Sequence, residues 1–549
     1  MIASPPFVDV DGLTFRYRRA SEPAIRDISL TISEGEVILV AGPSGCGKST
    51  LIRALNGLIP HSYRGELSGT VRLRGREVAA MPLRETSLIV GTVLQDPARQ
   101  IVGATVETEL AFGPENLGLP RGEIRNRIRL VAARARIEHL VGRETAELSG
   151  GERQLLAMAG ILMMQPQLFV VDEPLANLDP ATAATLLATL RELADEGHAV
   201  VLVEHRVEEA LELEPDRVLY LEEGRTRYLG PVEGFLKVAD PGSVKLPFEA
   251  ILARARAGEV EVDDWSPPSP QPAGGNGAAP LDRLAYERVR AGYGEREVLH
   301  GVSAALRPSE TVAVLGPNGS GKTTLFKAAM RLIEPTSGTV RVDGASTDDR
   351  TVADLARVFG YVFQSPSQML FARSVREELA YGPRNLGMDP AGFDDLIADV
   401  LARVGLADED AILERAPQTL SFGQQKRLAI AIALALRPKT LILDEPSAGQ
   451  DHRNAREFMR AVRTIPGLES IYFVTHDVDL ALTHADRILL FRDGRIVADG
   501  PPRLVVEDED RWIQCNLRPT SLMRANAQRG APGSRFLEAE SLARRLARS

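Results

Sequence analysis

A glycine-rich octapeptide written twice constrains this chain more than any other feature. Gly42-Pro43-Ser44-Gly45-Cys46-Gly47-Lys48-Ser49 returns as Gly316-Pro317-Asn318-Gly319-Ser320-Gly321-Lys322-Thr323. An apolar run, Glu36-Val37-Ile38-Leu39-Val40-Ala41 or Thr311-Val312-Ala313-Val314-Leu315, leads into each copy. Such runs suit strands buried on both faces of a parallel sheet. Each copy opens into a helical pattern, Thr50-Leu51-Ile52-Arg53-Ala54-Leu55 or Thr324-Leu325-Phe326-Lys327-Ala328. Strand, G-x-x-x-x-G-K-[ST], helix is the context in which such a loop cradles phosphate. The glycines let backbone N–H groups converge on phosphate oxygens, and the helix N-terminus adds partial positive charge. Both octapeptides, with Thr50 and Thr324, are therefore candidate nucleotide-binding residues. Lys48 and Lys322 are expected to reach the β and γ phosphates of ATP, and Ser49 and Thr323 to ligate Mg²⁺. The rival reading, a tight turn with an exposed lysine, is poorly matched by two copies in full context.

Other landmarks repeat in the same order at nearly the same spacing. Val171-Asp172-Glu173-Pro174 returns as Leu443-Asp444-Glu445-Pro446, and His205 as His476. Duplication is the simplest explanation. The expected organisation is a first domain over 1–262, a linker over 263–280, a second domain over 281–510 and a tail over 511–549. Proline and glycine crowd the linker from Asp263 to Gly277, a composition that cannot pack a core. The tail reads as peripheral, with helical spacing of Phe536, Leu537, Leu542 and Leu546 in an arginine-rich stretch. A net charge of −10 argues against a general nucleic-acid binder, so no nucleic-acid partner is expected. Two cysteines, Cys46 and Cys515, exclude a disulfide framework and suit a reducing compartment. No apolar run reaches the roughly 18 residues a membrane span needs, and the N-terminus lacks signal-peptide character. A role at a membrane would require partners that cross it.

The apolar strands Leu168-Phe169-Val170-Val171 and Leu441-Ile442-Leu443 end in paired acids. A charged pair at the end of a buried strand calls for a cation, and Mg²⁺ held through water by Asp172 and Asp444 is the natural one. Glu173 and Glu445, one residue on and facing the other way, suit the polarising of an attacking water. A helix N-cap is the competing reading of these aspartates. Val200-Val201-Leu202-Val203-Glu204-His205 and Ile471-Tyr472-Phe473-Val474-Thr475-His476 are further strands, each ending in a histidine. A lone strand-end histidine is more often structural; its recurrence in both copies favours a γ-phosphate sensor.

Leu148-Ser149-Gly150-Gly151-Glu152-Arg153-Gln154, upstream of the first acidic strand, completes a motif set that closely resembles ABC-transporter ATPases. The resemblance covers nearly the whole chain apart from linker and tail. It implies an α/β fold of two P-loop ABC ATPase domains, each with a mainly parallel sheet core and a helical subdomain carrying the signature. It also implies that Tyr17 and Tyr293 stack on adenine, and that Asp179 and Asp451 close loops coupling two sites. Ser149, Gly150 and Gly151, at a helix N-terminus, can receive a γ-phosphate, though they could equally be a plain helix cap. In this family two cassettes close head to tail. Lys48, Asp172, Glu173 and His205 would then face Ser421 and Gly423, and the second set would face Ser149 and Gly151. Two departures stand out. The second signature carries Phe422 where a glycine is usual, which could crowd the phosphate and slow one site. The first half has Glu204-His205-Arg206 where the second has Thr475-His476-Asp477.

The segments after Gln95 and Gln364 narrow the resemblance. Gln95-Asp96-Pro97-Ala98-Arg99-Gln100-Ile101-Val102 runs on to Thr105-Val106-Glu107-Thr108-Glu109-Leu110-Ala111-Phe112-Gly113-Pro114-Glu115-Asn116, and Gln364 to Asn385 repeats the pattern. This looks like the ATPase of energy-coupling-factor importers, which take up vitamins and transition-metal ions. The likeness implies that Gln95 and Gln364 sense Mg²⁺ and water. It implies that the following residues touch a transmembrane scaffold subunit, itself joined to a substrate-binding membrane subunit. The chain would then sit peripherally on the cytoplasmic face of the membrane, its two cassettes paired within one molecule. Met369 stands where the first copy has Gln100, so the two contacts are expected to differ. Rival readings are a tandem ATPase acting on ribosomes, disfavoured by the short Pro/Gly-rich join, and the ATPase of another ABC importer.

Overall fold

The computed structural model describes residues 6–259, 281–407, 409, 411–529 and 535–548. The expected linker, 263–280, lies outside the described residues. The chain divides into two units, Met1–Glu259 with Asp451–Arg453 and Val260–Gln450 with Asn454–Ser549.

In the first unit Val8–Tyr17 (β1) pairs antiparallel with Ile25–Ile32 (β2), both largely alternating buried with more exposed residues. Val37–Ala41 (β3) is buried at every position, as its unbroken apolar run requires. Gly65–Leu73 (β4) pairs with β1 and with Arg76–Glu77 (β5), completing an antiparallel sheet in the order β2-β1-β4-β5. Val90–Val93 (β6), Leu168–Asp172 (β7), Ala199–Val203 (β8), Arg217–Glu222 (β9) and Arg225–Gly230 (β10) join β3 in a second sheet, ordered β10-β9-β3-β8-β7-β6. All its pairings are parallel except that of the edge strand β10. The chemistry-bearing loops leave the carboxyl ends of β3, β8 and β7, which are neighbours. That is where ligands collect in open α/β sheets. Helices Val106–Asn116, Arg121–Arg134 and Gly150–Leu162 gather a core of their own from Val106, Leu110, Ile128 and Leu156.

The second unit repeats this plan. Leu284–Tyr293 (β11), Arg296–Leu306 (β12), Ser337–Val342 and Ala345–Ser346 form the antiparallel sheet, with Thr311–Leu315 (β13) lying between them in sequence. With Ser337–Val342 as β14 and Ala345–Ser346 as β15, its order is β12-β11-β14-β15. Phe359–Val362 (β16), Thr440–Asp444 (β17), Ser470–Thr475 (β18), Arg487–Arg492 (β19) and Arg495–Gly500 (β20) join β13 in the order β16-β17-β18-β13-β19-β20. Again only the edge strand β20 is antiparallel. The fold expected from the sequence is present in both units. Among the described residues no helix is long and apolar enough to cross a membrane.

One expectation is corrected. Residues from 511 onward, expected as a peripheral tail, bury Trp512, Cys515, Leu517, Met523 and Phe536 in the same cluster as Leu441 and Phe473. The last helix is Ala539–Ala547, so Phe536 and Leu537 precede it instead of opening it. Arg456 and Arg460 reach Glu540 and Glu538 at 2.5 Å, pinning this segment with part-buried ion pairs. The arginine-rich composition concealed this, because partners so far apart in sequence leave no local pattern. Trp512 is fully buried and its indole N–H donates to the Val505 carbonyl at 2.7 Å. Trp512→Ala is expected to lower the unfolding free energy of the second unit by about 3–5 kcal/mol, the usual range for a large aromatic cavity. Denaturant unfolding checks this, and a shift below about 1 kcal/mol would contradict the packing described.

Candidate functional site

Each glycine-rich loop is bent by backbone conformations that only glycine adopts freely. Gly42 and Gly47 have φ of 150° and 106°, and Gly316 and Gly321 have 153° and 103°. A Cβ on Gly42 would lie 2.3 Å from the Leu221 carbonyl oxygen, and one on Gly316 2.3 Å from that of Phe491. The loops thus close against the strand beside them, with no room for a side chain. Lys48 Nζ donates to the carbonyls of Gly42 and Pro43 at 2.7 and 3.0 Å, and Lys322 Nζ to those of Gly316 and Pro317 at 2.8 and 2.9 Å. Both lysines are buried at the base of helices Lys48–Leu55 and Lys322–Ala329. Cys46, inside the first loop, is a free thiol that burial pushes above its ordinary pKa, so it behaves as a small apolar side chain.

The strand-end acids lie against these loops. Thr323 Oγ1 donates to Asp444 Oδ1 at 3.0 Å, and the Tyr361 hydroxyl to Asp444 Oδ2 at 3.0 Å. Ser49 is close enough to Asp172 to help lower its pKa. Burial, with Glu173 beside it, pushes the Asp172 carboxyl up to about 6. Burial and Glu445 raise Asp444 in the same way. A nearby cation would relieve both. Among the described residues no cluster of three or more His, Cys, Asp or Glu side chains could hold a metal. What each half offers is one hydroxyl and one carboxylate. That hard-oxygen set fits Mg²⁺, which keeps waters and phosphate oxygens in its shell.

Glu173 and Glu445 both occupy the left-handed region, φ 47° and 48°. The strain is of the kind retained where a side chain must be aimed. It points the two carboxylates at the strand-end histidines. His476 Nδ1 lies 2.9 Å from Glu445 Oε2, and His205 Nδ1 3.4 Å from Glu173 Oε1. The longer contact is an ion pair without hydrogen-bond geometry. Burial alone would raise both glutamates; the adjacent imidazoles together with Lys48 or Lys322 outweigh it and hold them below the usual carboxylate value. Gln95 Nε2 donates to Glu173 Oε2 at 2.7 Å, so the structure brings Gln95, Glu173 and His205 together. Each carboxylate is therefore ionised and oriented, the condition for a general base.

The signature serines cap helices. Ser149 Oγ accepts from Glu152 N while Glu152 reaches back to Ser149 N at 2.7 Å; Ser421 and Gln424 do the same. Capping is thus one of their tasks. A Cβ on Gly150 or Gly423 would meet nothing within 4 Å, so no contact inside the unit demands glycine there. Gly151 is buried in the first turn. Phe422 turns toward Gly449, where a Cβ would lie 3.1 Å from its ring. Tyr17 is engaged with the cradle helix, 3.1 Å from Thr50 Oγ1 and accepting from Arg53 at 2.6 Å. Tyr293 is 50% exposed, with Lys327 near its ring.

Sequence reasoning missed three groups. Glu109 and Glu378, both buried, each accept two successive backbone N–H groups, of Val102 and Gly103 and of Phe371 and Ala372, at 2.6–2.8 Å. They fix the loop after each glutamine. Val102 and Phe371 in these loops, and Phe112 and Tyr381 on the helices that follow, are all more than half exposed. Gln100 ties its loop to Leu94 N and Thr92 O, whereas Met369 packs against the core. Glu204, fully buried, gathers the N–H groups of Leu175, His205 and Arg206, which explains its place before the histidine. Lys426, also buried, donates to the carbonyls of Pro446 and Ala448 at 2.7 Å, and burial lowers its pKa to about 7. The recurrence of Glu109 and Glu378 at matching places was the one available signal.

Comparison with known proteins adds to this geometry. The ABC transporter family profile matches residues 25–176 and 299–448. A protein described as an ABC transporter ATP-binding protein, from Methanosarcina acetivorans, is 35% identical over 94% of this chain and 89% of its own. Another so described, from Caldanaerobacter subterraneus, is 33% identical over 99% of both chains. The solved structure of cbiO1 from Clostridium perfringens, described as part of the ABC transporter complex cbiONQ, is 31% identical. It covers 43% of this chain and 95% of that one, with a TM-score of 0.38.

Proposed function

Since the chain belongs to the ABC transporter family and is one of its ATPases, we propose that it energises a membrane importer of the energy-coupling-factor type, for a vitamin or transition-metal ion. Each half holds MgATP between its own cradle and the other half's signature, and the two halves pair within one chain. ATP supplies the phosphoanhydride bond, and Mg²⁺ offsets charge on its phosphates. Lys48 and Lys322 leave their loop carbonyls for β and γ phosphate oxygens. Ser49 with Asp172, and Thr323 with Asp444, orient the metal's shell. Glu173 and Glu445 accept a proton from the attacking water, Gln95 and Gln364 position it, and His205 and His476 hold the γ-phosphate and steady each glutamate.

The observation that carries the importer reading is the loop fixed by a buried glutamate in each half. That loop and the helix after it offer Val102 and Phe112, or Phe371 and Tyr381, to solvent. Phe371 and Tyr381 meet edge to face, with ring centroids 4.8 Å apart. Large exposed side chains held by a dedicated clamp suit a partner surface more than a solvated turn. The chemistry next to them gives that partner a direct line to ATP, as a transmembrane scaffold subunit on the cytoplasmic face requires. The different pairs, Val102 with Phe112 and Phe371 with Tyr381, suit two non-equivalent elements of that partner.

Phe371→Glu is expected to weaken association with the membrane partner by about tenfold or more, as charge in an apolar contact does. Nucleotide binding by the isolated chain should remain. Detergent pull-down beside nucleotide titration reads both, and undiminished association in both Phe371→Glu and Val102→Glu would refute the surface.

A further inference from the structure

The two units brace the loop after their catalytic glutamate from different sides. In the first, Glu204 accepts from Leu175 N at 2.9 Å and Arg206 donates to Leu175 O at 2.6 Å, so the loop is tied to the histidine strand. In the second, Thr475 replaces Glu204 and accepts from Asp477 N instead. The bracing there comes from the signature helix Phe422–Leu434 through Lys426, whose ammonium bonds Pro446 O and Ala448 O, both at 2.7 Å. That ammonium also lies 5.3 Å from the centre of the Phe422 ring and 5.9 Å from that of Phe458. Phe422 in turn rests on Gly449, whose φ of 67° and missing side chain make room for it. Signature, lysine and loop form one packed group, with the Phe422 ring beside Gly449 and the lysine bonded to the carbonyls of Pro446 and Ala448. Burial lowers the Lys426 pKa to about 7, and the nearby Glu445 carboxylate opposes that shift.

Among the described residues, the first unit shows no such hydrogen bond at the matching position. Gln154 stands five residues after Ser149, as Lys426 stands five after Ser421. It is buried, and its amide nitrogen finds no hydrogen-bond acceptor among the described residues. Among the described residues, a hydrogen-bonded link from the signature helix's fifth residue after the serine to the catalytic loop is therefore present in the second unit and not in the first.

We propose that Lys426 is a positioning residue that makes the second unit's signature and the loop following Glu445 move together, and so carries coupling between the two ATP sites. The inference rests on the reading above in which Ser421 and Gly423 complete the site of Lys48 and Glu173. A nucleotide that shifts the Glu445 loop then shifts the signature serving the other site. The first unit, its loop tied to its own histidine strand, transmits little in return through Gln154.

Two backgrounds leave only the first site hydrolysing. Glu445→Gln leaves the second site able to bind ATP, and Lys322→Ala removes its grip on phosphate. The ratio of their ATP turnover rates measures what occupation of the second site does for the first. With Lys426 present the ratio is expected to be about fivefold or more, the lower end of ordinary allosteric coupling. Adding Lys426→Gln to both backgrounds should bring it within about twofold of unity, whereas adding Gln154→Ala should leave it unchanged. Lys426→Met, with an unbranched stem of similar volume, repeats the test should the glutamine variant fold poorly. A ratio preserved in either folded Lys426 variant, or lowered equally by Gln154→Ala, overturns the proposal while leaving the paired-site reading intact. A ratio near one with Lys426 in place overturns both, since nothing would then pass between the sites.

Discussion

Replacing both Glu173 and Glu445 with glutamine is expected to slow ATP turnover by about 10²–10⁴ while leaving nucleotide binding in place, the range set by loss of a positioned general base. The size follows from how each carboxylate is held. Both glutamates are strained into the left-handed region, and both face a histidine that keeps them ionised. Glutamine has nearly the same shape and can still accept from Gln95, so geometry survives and proton acceptance does not. Steady-state phosphate release beside equilibrium nucleotide binding separates the two. Unchanged turnover in the double variant would remove these residues from the chemistry. The single variants should differ, because His205 stands farther from Glu173 than His476 does from Glu445.

The second large effect belongs to the cradle lysines. Lys48→Ala and Lys322→Ala should each weaken MgATP binding at their own site by roughly 10–100-fold. A hydrogen bond to a charged group contributes about 1.5–3 kcal/mol, and each lysine can make more than one to phosphate. Both ammonium groups already sit at the loop, held by two of its carbonyls. Their reach to phosphate is then a short swing and not a search through solvent. Calorimetric titration of the double variant checks this, and retention of the unmodified affinity at both sites would refute the cradle assignment.

Much of this was legible in the sequence because it is local. The apolar runs before each glycine-rich loop gave β3 and β13, each buried at every position. The paired acids and the histidines fell at the carboxyl ends of strands that proved to be neighbours, β7 with β8 and β17 with β18. What escaped is long-range. Glu204 looked like an oddity before a histidine until its carboxylate was found gathering three backbone N–H groups. Lys426 drew no notice in the sequence, because its partners, Pro446 and Ala448, lie on another element. The place of the Phe422 ring beside Gly449, on another element of its unit, could likewise not be read from the signature alone. The segment after residue 510 read as a peripheral tail, yet arginines and acids distant in sequence pair around Glu538 and Glu540. Burial that depends on such pairs has no periodic signature.

The importer reading turns on what the chain holds at a membrane. Affinity purification of the tagged chain from its native membranes, with identification of every co-purifying protein, tests it most directly. Recovery of a multi-spanning scaffold subunit together with a small substrate-binding membrane protein is the predicted result, and the second protein would identify the cargo. Recovery of ribosomes without any membrane protein would contradict the importer reading and leave the ATPase chemistry standing.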